Sequence, residues 1–198
     1  MTRGPLTLTM TAQGILPLDR CLQRSGAQPG DRIFVSGNLG DAALALAGLQ
    51  SEVELRDATI DELQKRLFYP TPRVALGQLL RNQATSAIDL SDGLAGDLQH
   101  ILAASGVGAR VNLDALPASL AFRANLKPQE GWHYQLNGGD DYELCFTVPE
   151  NRCGVLESLV RQAGVTVSCI GTIEAQRGLR FFHKDKVIKL DDSSYSHF

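Results

Sequence analysis

The chain is 198 residues long, with 43% hydrophobic and 21% charged residues, which is the usage of an ordinary globular domain and too apolar for a disordered one. Its 19 Lys and Arg against 22 Asp and Glu give a net charge of -3, so no basic field exists to neutralise a row of phosphates, and nucleic acid is not an expected partner. The longest apolar run, Ala42 to Leu49, is far shorter than the roughly 20 residues of a membrane span, so no membrane partner is expected either.

In chain order, Leu6, Leu8, Met10 and Ala12 alternate with three threonines, the period of a strand with one face toward a partner. A short helix is expected over Leu18 to Arg24, then a turn at Gln28-Pro29-Gly30-Asp31 and a buried strand over Arg32 to Gly37. Gly37 to Gly40 reads as a tight loop into a helix over Asp41 to Leu49. Glu52 to Thr59 reads as an exposed connection into a helix over Ile60 to Phe68, which Tyr69-Pro70-Thr71-Pro72 breaks. A helix over Arg73 to Arg81 and a short strand at Ser86 to Asp89 follow. Leu94, Leu98, Ile101 and Leu102 then mark the core stripe of another helix, which stops at Ser105-Gly106. Beyond it come a strand at Arg110 to Leu113, a helix near Pro117 to Asn125, a strand at Tyr142 to Val148 and a helix at Arg152 to Ala163. Strands near Val167 to Ile173, Leu179 to His183 and Val187 to Leu190 complete the pattern. The irregular alternation predicts an α/β or α+β domain, helices packed on a mixed sheet.

Cys21, Cys145, Cys153 and Cys169 form no CxxC, and no His stands at metal-ligand spacing from them, so they read as buried free thiols in a reduced cytoplasm. Chemistry concentrates in two segments. Ile88-Asp89-Leu90-Ser91-Asp92-Gly93-Leu94 puts two carboxylates and a hydroxyl between an apolar strand and a helix start, where backbone N–H groups favour anions. Two ionised carboxylates about 4 Å apart repel by roughly 4 kcal/mol at an effective dielectric near 20, so such a site calls for a cation, and an oxygen-rich donor set suits magnesium. The plainer reading makes Ser91 or Asp92 a helix cap and Asp89 a turn residue. The second segment is Leu136-Asn137-Gly138-Gly139-Asp140-Asp141-Tyr142-Glu143-Leu144. Its glycine pair permits close backbone approach beside two more carboxylates, and a hairpin-type turn is the plainer alternative. Arg24 suits phosphate contact, though a surface Arg at a helix C-terminus is commoner. There is no P-loop, no GxGxxG and no kinase catalytic loop, and none of the four histidines pairs with a nucleophile, so no catalytic nucleophile or base is assigned.

Seven segments stand in an order that resembles the bacterial thiamine-monophosphate kinase family, within the aminoimidazole-ribonucleotide synthetase-like superfamily. They are Thr2 to Leu6, Arg24 to Asp31, Ser36 to Asp41, Pro70 to Arg73, Ala87 to Leu94, Gly138 to Leu144 and Tyr195 to Phe198. The resemblance spans nearly the whole chain and implies direct transfer of the γ-phosphoryl group of ATP to thiamine monophosphate, giving thiamine diphosphate. By resemblance, Asp89 and Asp92 are magnesium ligands, while Ser91 and Arg24 contact ATP. Asp140, where the family usually has Glu, and Tyr195 hold the thiamine moiety. The resemblance also implies that residues 1–26 are the remnant of an N-terminal ATP-binding and dimerisation domain, with 27–198 the C-terminal α/β domain. The whole enzyme is then a homodimer, and this chain, lacking further magnesium-binding aspartates, is expected to be inactive alone. A sister synthetase acting on another substrate, or a non-catalytic thiamine-phosphate-binding module, are the alternative readings.

Overall fold

A computed structural model describes residue 4 and residues 7–18 and 20–188. Seven strands form one sheet in the order β2-β4-β1-β5-β3-β6-β7. In chain order the strands are β1 (Arg32–Ser36), β2 (Ser86–Leu90), β3 (Gly108–Asn112), β4 (Glu143–Val148), β5 (Val167–Glu174), β6 (Gly178–His183) and β7 (Lys186–Ile188). Every neighbouring pair is antiparallel except β3 with β6. The helices are α1 (Asp41–Leu49), α2 (Asp57–Phe68), α3 (Val74–Leu80), α4 (Leu94–Ser105), α5 (Leu120–Asn125), α6 (Pro128–Asn137) and α7 (Cys153–Ala163). The expected mixed sheet with packed helices is what the chain forms.

Strand alternation divides the core between the two sheet faces. Ile33, Val35, Ile88, Leu90, Cys145 and Ile170 face the α4 stripe of Leu94, Leu98, Ile101 and Leu102, together with Trp132 and Leu136 of α6. On the other face Phe34, Phe146 and Val148 meet Leu76 and Leu80 of α3 and Leu156 and Val160 of α7. Phe34 and Phe146 are register partners, and their rings stack at 5.7 Å. A third cluster of Leu44, Ala45, Leu63, Ala121 and Phe122 joins α1, α2 and α5 beside the sheet.

The front of the chain departs from expectation. Among the described residues from 7 to 26 there is neither strand nor helix, and Leu8 and Met10 are 87% and 96% exposed. A strand needs a partner ladder, which is absent among the described residues, and a seven-residue helix needs more packing to offset its nucleation cost than Leu22 against the second core cluster supplies. One backbone bond, Ala87 N–H to the Gln23 carbonyl at 2.9 Å, ties this segment to the free edge of β2. Helix α6 was not expected. Helix α2 begins earlier than expected, at Asp57, and of the four cysteines Cys145 alone is fully buried.

Candidate functional site

Because β4 runs antiparallel to both β1 and β2, the C-terminal ends of β1 and β2 and the start of β4 lie at one end of the sheet. Three connections therefore converge there: Gly37 to Gly40, Ser91 to Gly93, and Gly138 to Tyr142. The last two are in direct contact. The Asp140 N–H donates to the Ser91 carbonyl at 3.0 Å, and the Tyr142 N–H to the Leu90 carbonyl at 2.8 Å. A Cβ on Gly139 would lie 2.5 Å from the Ser91 oxygen, so glycine is what allows this approach.

Neither Ser91 nor Asp92 caps α4. The cap position belongs to Gly93, at φ 107 and ψ 150, and no side chain caps the helix there. The buried carboxylate of Asp97, in the first turn, instead reaches back and accepts the Ser91 and Asp92 N–H groups at 3.0 and 3.1 Å. Burial raises the Asp97 pKa; the two N–H donors oppose this, and the charges of Asp92 and Asp89 add to it. The loop is thus folded by its own helix, leaving the exposed Asp89 and Asp92 carboxylates at the surface of the site. The hairpin reading of Gly138 to Tyr142 is also corrected, since this segment joins α6 to β4. Tyr142, half-exposed, has its pKa raised by partial burial first, then by the charge and hydrogen bond of Asp140 and the charges of Asp89 and Asp92.

Behind these carboxylates lies a buried ionic group. Glu143, fully buried, accepts from Ser36 Oγ at 2.5 Å, from Arg66 Nη2 at 2.9 Å, and from Arg73 Nε and Nη2 at 2.6 and 2.5 Å. Asp141, also buried, faces the Gly40 N–H with both oxygens, at 3.1 and 2.9 Å. Burial holds the Asp141 pKa well above the ordinary carboxylate value, and the charges of Asp41 and Glu143 add to this.

Ser91 and Asp140 therefore meet through the backbone, with Asp89 and Asp92 flanking Ser91 in the same segment. Arg24 is exposed, and its carbonyl accepts from Ser105 Oγ at 3.4 Å, at the end of α4 opposite the site. Among the described residues, no hydrogen bond or ion pair joins its side chain to the four. Tyr195 lies outside the described residues. Sequence reasoning missed Asp97, Arg66 and the role of Glu143; a polar residue inside the α4 core stripe was the one available signal, and it marks Asp97. As a fit for magnesium, no group of three or more His, Cys, Asp or Glu encloses a metal among the described residues. Two exposed carboxylates on a rigid loop nonetheless match an ion that takes one or two protein carboxylates and draws its other oxygens from water and phosphate.

Residues 28–184 match the family described as AIR synthase related protein, C-terminal domain. Thiamine-monophosphate kinase of Escherichia coli K12 is 47% identical over 199 aligned residues, covering 100% of this chain and 61% of that protein. The chain thus spans less than two thirds of that relative's length. The crystal structure of thiamine-monophosphate kinase from Stenotrophomonas maltophilia K279a, 43% identical, superposes with a TM-score of 0.78 over 82% of this chain and 53% of that one. A structure described as AaThiL complexed with AMPPCP and TMP, 31% identical, gives 0.74 over 89% and 54%. A match across both faces of the sheet and every segment of the site is decisive for descent: the chain belongs to the family of AIR synthase related proteins, as their C-terminal domain.

Proposed function

We propose that the chain is the C-terminal part of a thiamine-monophosphate kinase, transferring the γ-phosphoryl group of ATP to the phosphate of thiamine monophosphate. The observation that carries this reading is the seating of Gly139 and Asp140 against Ser91, beside Asp89 and Asp92. It is an acidic site built from two loops, in a chain 47% identical along its length to a curated kinase of that name. The relative solved with AMPPCP and TMP supports ATP and thiamine monophosphate as the two substrates.

The acceptor is itself an anionic phosphate, so the reaction needs no protein nucleophile; it needs two repelling anions brought into line. Asp89 and Asp92 would hold magnesium, which offsets phosphate charge when bound. Ser91 contacts the nucleotide; Arg24, at the opposite end of α4, takes no part in this reading. Asp140, with Tyr195, holds the thiamine moiety. Asp97 keeps the Ser91–Asp92 backbone in one conformation, so the ligands need not be ordered anew at each turnover. The substrates are small soluble anions, consistent with a cytoplasmic enzyme that engages neither nucleic acid nor membrane. Residues 1–26 go with an N-terminal nucleotide-binding and dimerisation unit and 27–198 with the C-terminal unit. The family match begins at 28, and Ala27 is the first core residue in the described chain.

The test is formation of thiamine diphosphate from ATP and thiamine monophosphate by two proteins: this chain, and the same chain continued at its N-terminus with the corresponding segment of a curated relative. The continued form is expected to turn over as a homodimer, and the chain alone to be at least about a hundredfold slower, because part of the charge-stabilising shell is missing. No product from the continued form, or preference for another acceptor, would sink the reading.

A further inference from the structure

Asp140 and Tyr142 both occupy the left-handed region, at φ 66 and 48. Non-glycine residues adopt it at a cost, and two within three positions persist only where the surroundings over-determine them. From the site side, that hold is the pair of backbone bonds to Ser91 and Leu90. From the opposite side it is Arg66. Its Nη2 donates at once to the Asp141 carbonyl, at 3.3 Å, and to Glu143 Oε1, at 2.9 Å.

The charge of Glu143 alone does not require Arg66, although that of Arg66 also opposes the Asp41 and Asp141 carboxylates. Arg73 already meets Glu143 through two parallel bonds and Ser36 supplies a third, so the buried carboxylate is paired and hydrogen-bonded without it. What Arg66 adds is a bridge between this fixed anchor and the backbone of the turn. We infer that Arg66 is a positioning residue: by clamping the Asp141 carbonyl to the Arg73–Glu143 anchor, it fixes the strained Asp140–Tyr142 turn and thereby sets where the Asp140 carboxylate meets the substrate. The functional half of this inference rests on the kinase reading above; the structural half does not.

Two measurements separate them. In this chain, Arg66→Met leaves Arg73 and Ser36 on Glu143, so the fold is retained. The amides of Asp140 and Tyr142 should then exchange with deuterium about tenfold faster, as expected for loss of one charge-assisted bond, while those of Ile33 and Val35 in β1 do not change. Arg66→Lys, which keeps one donor, should restore most of the protection; Arg66→Gln, shorter and uncharged, takes the place of the Met variant if that one does not fold. In the N-terminally continued enzyme, Arg66→Met should raise KM for thiamine monophosphate about tenfold, with KM for ATP and kcat within about twofold of the parent. Unchanged exchange at Asp140 and Tyr142 overturns the inference. So does a parallel rise of KM for both substrates, which indicates general loosening. If the continued parent makes no thiamine diphosphate, the kinase reading fails, and the exchange data still decide whether Arg66 clamps the turn.

Discussion

Asp141 is a carboxylate almost without water, facing one backbone N–H, and its raised pKa has a consequence for stability. Between the ordinary carboxylate value of 3.8 and its raised folded value, the folded chain binds a proton that the unfolded chain has lost. Its contribution to stability is therefore present below the ordinary value and is lost as pH rises through the folded one. Asp141→Asn keeps an oxygen for the Gly40 N–H and removes the charge. Its thermal midpoint should match the parent's near pH 4 and exceed it increasingly above that; curves offset equally at every pH would contradict this. The site itself was only partly readable in the sequence. Asp89, Ser91, Asp92 and Asp140 stand in two short motifs, whereas Arg66 and Arg73 find Glu143 across 77 and 70 positions, a pairing that no local pattern encodes. Asp97, five residues from Asp92, was within reach, since a carboxylate buried in a core stripe requires local donors.

At the scale of elements, strong periodicity was a good guide. The α4 stripe faces the core as its spacing requires, and β1, read as a buried strand, is covered on both faces. Helix α6 escaped because Gly131, Trp132, His133 and Tyr134 are poor helix formers; Pro128 at its first position and Glu130 accepting the Lys127 N–H at 3.1 Å were the signals it carried. The alternation of the Thr7 to Ala12 segment was a real pattern with no ladder beside it among the described residues. Gly93 shows what the junction of elements demands. It holds φ 107, and a Cβ there would lie 2.8 Å from the Leu136 carbonyl oxygen and 2.9 Å from the Asn137 carbonyl carbon. Gly93→Ala thus combines backbone strain with a clash where α4 meets α6, and should lower the unfolding free energy in urea by about 2 kcal/mol or more. A loss below about 0.5 kcal/mol would mean that the junction shifts freely.

For the whole molecule, the antiparallel pairing of β4 with β1 and β2 makes one end of the sheet a meeting place for three loops, and two helical layers fix those loops from both faces. Overall topology was legible only as a class, because strand order depends on pairings such as β1 with β5 that span most of the chain. Thiamine-monophosphate kinase of Escherichia coli K12 is longer, and this chain covers 61% of it; on the proposed reading, the acidic site at this end is one wall of a larger site. The central claim is that Asp89 and Asp92, on the loop held by Asp97, carry the charge of phosphoryl transfer. It is tested most directly by thiamine diphosphate formation in the N-terminally continued enzyme bearing Asp92→Ala, with folding checked by an unchanged thermal midpoint. A fall in kcat of at least about a hundredfold is predicted; activity equal to the parent's would contradict the account.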